Sequence, residues 1–334
     1  MDILSKIKKA NLVGRGGAGF PVAKKWSSVA KALADKDAGN KECYVVCNAA
    51  EGEPGVNKDG YILEHYADRV IDGMKIAINF LGAKKGYLYL NHSYYKKLHK
   101  KLSVLSENSK IEIFVKPIKA GYIGGEESAV LNAIEGKRIE PRLKPPFPTA
   151  RGLWNHPTLI NNVETFYNVS LAAADQYANK RFYTVTGDCP NEGVYELPDN
   201  LTIEKILKLT KNYPKFSFFV QIGGLASGEV LNSSQLKRQA LGAGSIAVYS
   251  LAKNNYKKTI KSWLDFFVNE SCGQCTPCRE GVYRLNEVFS KENIDWRLFN
   301  NLLDNLSDTS FCALGASVSS PIKSFIKNVY SDIK

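Results

Sequence analysis

The sequence predicts three packed parts in a row: a layered α/β domain over residues 1–175, a small α+β module over 176–252, and a helical segment over 253–334. Three observations carry this reading. Helical and extended signals alternate through the first half, as they do when strands and helices stack in layers. Residues 182–250 read instead as short strands around one helix, and from about Lys257 the pattern is helical and holds a cluster of cysteines.

Taken in order, residues 2–10 and 22–34 place apolar side chains at helical spacing on either side of a glycine-rich loop. Cys43-Tyr-Val-Val-Cys47 is a β-branched and aromatic run bounded by turn residues, and so a buried strand. Val70, Met74, Ala77, Ile78 and Leu81 share one face of a helix over 69–81. Gly86–Leu90 is a second strand, Tyr94–Leu105 a helix and Ile111–Val115 a third strand. Residues 135–157 break into prolines and basic residues but carry Phe147 and Trp154, which marks an ordered irregular segment rather than a linker. A helix near 163–174 follows. The second part reads as strands over 182–186, 216–222 and 246–249 with a helix over 203–209, and the third as helices over 263–268, 279–289, 296–306 and 318–329.

The chain has 334 residues, 44% apolar and 23% charged, enough for two or three modules. No run approaches the roughly 18 apolar residues of a spanning helix. Lys6, Lys8 and Lys9 are not followed by an apolar block of the kind a signal peptide needs. A cytoplasmic protein is therefore expected. The net charge is +12, and residues 1–150 hold 25 Lys and Arg against 16 Asp and Glu. That surplus attracts phosphates or simply decorates solvent faces, and charge alone does not separate the two. Nucleic-acid binding is disfavoured because the lysines are not interleaved with a recognisable DNA or RNA module.

Of seven cysteines, Cys272, Cys275, Cys278 and Cys312 lie in the last 63 residues. Cys272-x-x-Cys275-x-x-Cys278 lets three thiolates converge from one turn, with Cys312 closing the site from a distant loop. A [4Fe-4S] cubane presents one iron to each of four thiolates and suits this spacing. Zinc sites prefer two separated pairs and suit it less well, and free or redox-active thiols are the third reading. Cys43, Cys47 and Cys189 have no such spacing and read as packing residues.

Gly14-Arg-Gly16-Gly17-Ala-Gly19 matches G-x-G-x-x-G, but it follows a helical stretch rather than a strand, which spoils a Rossmann reading. Four glycines in six residues still let backbone amides approach an anion, with Arg15 and Lys25 adding charge. Asn48 to Gly55 leaves the end of a parallel strand, where open α/β sheets bind ligands. Gly121 to Glu127 opens a helix near Glu126, its carboxylates either capping that helix or meeting a ligand. With the paired amides Asn161-Asn162, these segments point to a polar pocket.

At this point the sequence resembles the flavin- and NADH-binding 51 kDa subunit of respiratory complex I and its relatives in NAD-linked hydrogenases and formate dehydrogenases. The resemblance spans nearly the whole chain. It rests on Gly14 to Pro21 with Lys25-Trp26, Asn48 to Gly55 with Lys58-Asp59, Gly125-Glu-Glu127, Glu135 to Arg138, Pro141 to Pro148, Asn161 to Thr165 and Glu270 to Gly281. It implies an FMN domain, a ubiquitin-like soluble-ligand-binding β-grasp insert and a helical bundle carrying the cluster.

Carried over by position, Gly14, Arg15, Gly16, Gly17 and Gly19 with Phe20 and Lys25 would line the FMN and NADH sites. Asn48, Glu51, Tyr122, Gly125, Glu126, Asn161, Asn162 and Thr165 would contact FMN, with Gly52 in the same loop. Glu53, Glu127, Lys144 and Phe147 would lie on the nicotinamide nucleotide side, and the four clustered cysteines would hold the metal. The chain departs from the family pattern at Ala50, where Asp is usual, at Ser28, where an aromatic is common, and at Gly124, where Cys is usual. Each lost stacking or pairing contact is expected to weaken NADH binding by about 1 kcal/mol or more.

The expected function is electron input of the diaphorase type. NADH gives a hydride to FMN, and single electrons pass through the cluster to partner iron-sulfur subunits, among them a thioredoxin-like [2Fe-2S] subunit, with the assembly free in the cytoplasm or held on the inner face of a membrane by partners. The rival is an electron-relay or scaffold protein that keeps flavin or cluster and has lost the nucleotide site. The cofactors carry the chemistry, so no side chain is assigned as general acid or base.

Overall fold

The computed structural model describes residues 2–35 and 42–330. They form two compact units. The first runs to Gly52 and resumes over Asn57–Arg181; the second takes Glu53–Val56 and the chain from Phe182 onward.

The first unit opens with α1 (Ile3–Lys9), whose start is capped by the Asp2 carboxylate accepting the Ser5 N–H at 3.1 Å, and α2 (Val22–Ala34). Then come β1 (Tyr44–Ala49), α3 (Lys58–Leu81), β2 (Lys85–Leu90), α4 (His92–Ser106), β3 (Ile111–Val115), α5 (Glu127–Ile134), β4 (Thr158–Asn162) and α6 (Val163–Ala173). The four strands make one parallel sheet in the order β3-β2-β1-β4, with Cys47 level with Leu88 on one side and Asn161 on the other. Both faces are covered, which is why Tyr44–Cys47 and Gly86–Leu90 are continuous buried runs without alternation. One face packs Val46, Tyr89, Val130, Leu131 and Leu153 into a single cluster.

α3 begins at Lys58, well before Arg69. Its first turns bury Lys58, Asp59 and Gly60, residues that interrupt the apolar stripe by which a helix is read. β4 has no strand signal either, because it ends in two amides. α3 lies against α6 at Gly73, where a Cβ would overlap the Phe166 carbonyl oxygen and stand 2.7 Å from its carbon. The irregular segment after α5 is tied down by the Glu135 carboxylate, which pairs with Lys137 (2.5 Å) and Arg142 (2.9 Å) and accepts the Trp154 N–H (2.8 Å).

The second unit holds β5 (Lys180–Gly187), β6 (Gly193–Pro198), α7 (Ile203–Leu209), β7 (Phe218–Ile222), β8 (Glu229–Asn232) and β9 (Ser245–Ser250). Their sheet has the order β6-β5-β9-β7-β8, with β5 parallel to β9 and β7 antiparallel to both its neighbours. α7 buries Ile203, Ile206 and Leu207 against Tyr183, Val185, Val220 and Val248. The edge strands β6 and β8 escape a sequence reading, since one is only half-buried along its length and the other has four residues. Helices α8 (Tyr256–Glu270), α9 (Thr276–Phe289), α10 (Trp296–Thr309), α11 (Ala313–Ala316) and α12 (Ser319–Asn328) complete the unit. α12 docks on β8, its Ser324 Oγ accepting the Val230 N–H (2.9 Å) and its Asn328 Nδ2 donating to the Val230 carbonyl (2.7 Å). The expected class, a parallel α/β domain followed by further α+β structure and C-terminal helices, is what the chain adopts. No described helix is long and apolar enough to cross a membrane.

Candidate functional site

In the first unit three loops meet at the carboxyl end of the parallel sheet, the edge at which open α/β sheets bind ligands. The glycine loop is closed by Gly14 N–H donating to the Phe20 carbonyl (2.8 Å). It is fastened to the first turn of α6 by Arg15 N–H donating to Thr165 Oγ1 (3.0 Å), and it lies against the end of β4 at Gly16, whose Cβ, were there one, would stand 3.3 Å from Asn162 Cβ. Gly17 (φ +116°) and Gly19 (φ +63°) adopt backbone conformations that L side chains rarely take, and a Cβ at either would meet nothing within 4 Å. Open, exposed backbone of this kind is suited to a phosphate. The Arg15 side chain, by contrast, is buried and reaches Tyr177 OH at 3.3 Å, so its guanidinium serves the interior of the unit. Phe20 is exposed, with Lys24 Nζ 5.8 Å from its ring centre.

The second loop leaves β1. Asn48 Nδ2 donates to the Gly125 carbonyl (2.8 Å), joining this loop to the third. Glu51 accepts from the N–H groups of Asp59 (3.0 Å) and Gly60 (3.1 Å) at the start of α3 and from Tyr94 OH (2.5 Å). Burial, reinforced by the Asp59 carboxylate, pushes the Glu51 carboxyl up to about 8, while Lys58 and the Tyr94 hydroxyl act against the shift. Lys58, fully buried, lies 2.6 Å from Asp59 Oδ1, 3.2 Å from Glu164 Oε2 and 3.1 Å from Asn162 Oδ1, and those carboxylates outweigh desolvation to raise its pKa. Gly52 is exposed, and a Cβ there would fall 3.4 Å from Lys116 Nζ and 3.5 Å from Tyr122 Cα. Glu53 belongs to the second unit, where its carboxylate accepts the Ala226 N–H at 2.9 Å.

The third loop leads into α5. Glu126 caps that helix, accepting the Ser128 and Ala129 N–H groups (2.9 Å each), and Glu127 sits in its first turn. Lys144 bridges Glu126 (2.7 Å) and Glu127 (3.0 Å), and Lys25 reaches Glu127 from α2 (3.2 Å). Burial alone would raise the Glu127 pKa, but the two lysines hold it below the usual carboxylate range. Phe147 is exposed.

The two neighbouring amides are not brought together. Successive strand residues face opposite ways, so Asn162 meets the Lys58–Asp59 pair while Asn161, in the amide orientation that satisfies its neighbours, accepts from Trp26 Nε1 at 3.0 Å. Ala50 is buried in the apolar cluster with Tyr89 and Leu131. At Gly124 a Cβ would stand 2.6 Å from Ala120 Cβ, so the glycine matches a close neighbour. Ser28 is exposed on α2 and bonds back to the Lys24 carbonyl (2.9 Å). Lys58, Asp59, Tyr94 and Glu164 are the members of the network that sequence reasoning did not assign; for Lys58 and Asp59 a charged pair in a buried helix start is the signal, offered only once α3 is known to begin there.

In the second unit the loop Ser271–Cys275 runs into α9, with Cys275 as its N-cap residue and Pro277 in its first turn. Gly273 (φ +75°) makes the turn and Arg279 Nη1 donates to its carbonyl (2.8 Å). Cys278 is buried; burial pushes its thiol up, Ser271 acts against this, and the nearby Cys275 and Cys272 reinforce it. Cys312 is the N-cap residue of α11. Two serine hydroxyls that the sequence reading passed over are here. Ser271 Oγ lies 3.4 Å from Cys278 Sγ, and Ser310 Oγ is buried with no hydrogen-bond partner. Among the described residues no three ligand side chains close on a single metal ion. The fit to an iron-sulfur cluster is instead one of donor chemistry. Four cysteines stand on two adjoining turns, the buried Cys278 has Ser271 Oγ beside its sulfur, and the unpaired Ser310 hydroxyl lies alongside. Cys43 and Cys189, by contrast, are single thiols pushed up to about 11 by burial, and Cys47 is fully buried.

Known proteins bear on both sites. The sequence profile of the Nuo51 FMN-binding domain matches residues 7–171, and that of the iron-sulfur binding region of NADH-ubiquinone oxidoreductase-F matches residues 258–334. The chain is 32% identical to the F component of the NADH-quinone oxidoreductase of Aquifex aeolicus, covering 94% of this chain and 81% of the relative. It is also 32% identical to the alpha component of the NAD-reducing hydrogenase HoxS of Cupriavidus necator, covering 96% of this chain and 58% of that one. Among solved structures, an NAD+-reducing [NiFe]-hydrogenase in the H2-reduced state superposes with a TM-score of 0.89 at 29% identity, over 99% of this chain and 62% of the hydrogenase chain. This chain therefore spans under two thirds of those hydrogenase chains.

Proposed function

Since this chain belongs to the family of the 51 kDa flavin-binding subunit of complex I, we propose that it is an NADH-oxidising electron-input protein whose FMN site is the loop cluster at the carboxyl end of the parallel sheet. When bound, FMN supplies hydride acceptance from NADH and release of single electrons, and the [4Fe-4S] cluster supplies onward one-electron transfer. The residues of the chain bind and orient. The open amides around Gly17 and Gly19 receive phosphate. Asn48, Gly125, Glu126 and Thr165 set the loops that border the flavin, and the Lys58–Asp59–Asn162 cluster makes that border rigid. Lys25 and Lys144 with Glu127 form the charged rim on the nucleotide side. Cys272, Cys275, Cys278 and Cys312 hold the cluster.

The observation that carries this reading is the attachment of the glycine loop to the first turn of α6, just past the end of β4, through Arg15 N–H and Thr165; it supports an anion site at the ligand edge of the sheet without a Rossmann strand before it. The five-stranded sheet with α7 supports a β-grasp reading of residues 176–252, because its outer strands flank a central parallel pair made from the first and last strands. Residues 1–175 and 253–334 are then the FMN and cluster modules. The partners are iron-sulfur subunits of a larger assembly, a thioredoxin-like [2Fe-2S] subunit among them, with the assembly in the cytoplasm or peripheral to the inner face of a membrane.

The test is anaerobic purification followed by flavin and iron analysis and NADH-dependent reduction of an artificial acceptor. Flavin, about four irons per chain and acceptor reduction are expected. Flavin and iron without NADH activity would leave an electron relay in place of an NADH oxidase. Cys278→Ser is expected to remove iron and keep flavin, and full iron in that variant would overturn the ligand assignment.

A further inference from the structure

The cysteine loop and the turn before α11 bring two serine hydroxyls near Cys278. Ser271 Oγ is 3.4 Å from Cys278 Sγ and receives the Gly273 N–H at 3.3 Å. A metal-bound thiolate has no proton to give, so in a loaded site the serine is the donor of that contact. Ser310 ends α10, its N–H bonded to the Leu306 carbonyl (3.2 Å), and its Oγ is buried without a partner. Gly315 lies between this hydroxyl and Cys278. A side chain there would collide with Ser310 Oγ and stand 2.7 Å from Ser310 Cβ and 3.1 Å from Cys278 Cβ. Ser310 therefore faces Cys278 across a position held open by the absence of a Cβ.

Buried hydroxyls are nearly always paired, and one that is not calls for an explanation such as an acceptor that arrives with a ligand. Thiolate and sulfide sulfurs are such acceptors. We propose that Ser310, together with Ser271, donates hydrogen bonds to the sulfurs of the iron-sulfur cluster and its Cys278 ligand, and so raises the cluster's reduction potential. The inference rests on the reading that the four cysteines hold that cluster. Its physical basis is that the reduced cluster carries one more negative charge than the oxidised one, so a fixed donor stabilises the reduced state more. Both serines are tuning residues, for electron transfer itself is the cluster's work.

The experiment is a redox titration of the full chain, loaded with flavin and iron, followed by the EPR signal of the reduced cluster. Ser310→Ala and Ser271→Ala are each expected to lower the reduced-to-oxidised ratio at a fixed potential by up to about tenfold, a fall in midpoint of as much as ~59 mV for a one-electron couple. Iron and flavin contents should be those of the wild type. Ser310→Thr keeps the hydroxyl and is expected to titrate near the wild type. An unchanged midpoint in iron-replete Ser310→Ala overturns the proposal. If that variant does not retain iron, Ser310→Thr decides, because iron held supports a need for the hydroxyl and iron lost shows a packing role instead. A wild type without iron overturns the cluster reading and this inference together, whereas iron present with no shift in midpoint overturns the inference alone.

Discussion

Replacing Lys58 with Met tests whether the buried charges at the start of α3 hold the proposed flavin site in shape. The ammonium is within 3.2 Å of two carboxylates, and the side chains of Lys58, Asp59 and Glu164 are 3%, 4% and 0% exposed. Methionine keeps most of the length and apolar bulk but leaves the buried Asp59 and Glu164 carboxylates without their ammonium. Removing one partner of a buried pair costs about 3–5 kcal/mol, mostly because the remaining charge is uncompensated. For a unit the size of the first one, each kcal/mol moves the midpoint by roughly 2–4 °C, so the melting temperature should fall by about 6–20 °C. Thermal unfolding of flavin-depleted protein at pH 7 reads this without ligand linkage. Because the charges are buried, added salt should not restore the loss. Lys58→Met with Glu164→Gln removes one of the stranded charges and should recover part of it. A single variant as stable as the wild type, or a double variant no more stable than the single, would refute the claim that Lys58 compensates these carboxylates.

Two further outcomes follow from the same geometry. Glu51 holds its proton up to about pH 8 when folded, against 4.5 for the ordinary carboxyl. Its contribution to stability is therefore complete below about pH 4.5 and lost as pH rises through 8, so the melting temperature of flavin-depleted wild type should fall more between pH 5 and pH 8 than that of Glu51→Gln; parallel profiles would contradict the shift. At Gly315 an alanine would run into Ser310 and crowd Cys278. Gly315→Ala should thus lower iron per flavin while far-ultraviolet circular dichroism stays near the wild type, and full iron loading would show that this crowding is relieved at no cost to the site.

The glycine loop, the cysteine triplet and the order of a parallel α/β part before C-terminal helices were legible because each is a local matter. Spacing along a chain sets how many amides or thiols one turn can present, and apolar periodicity reports which face of a helix is buried. The start of α3 at Lys58, the strand β4 and the edge strands β6 and β8 were not legible, since their residues are polar, few or half-exposed and are held by neighbours rather than by propensity.

Which groups the chain possesses, and in what spacing, follows from the order of its residues: open glycines, paired acids and lysines, four clustered cysteines. What each of them faces came from the packing of the folded chain. Packing turned Arg15 into the interior, set Asn161 and Asn162 on opposite sides of one strand, and carried Glu164 to Lys58 across more than a hundred residues. It also placed Ser310 opposite Cys278. A side chain's partner is fixed by how elements distant in sequence pack, and burial then sets the strength of the charges and hydrogen bonds between them.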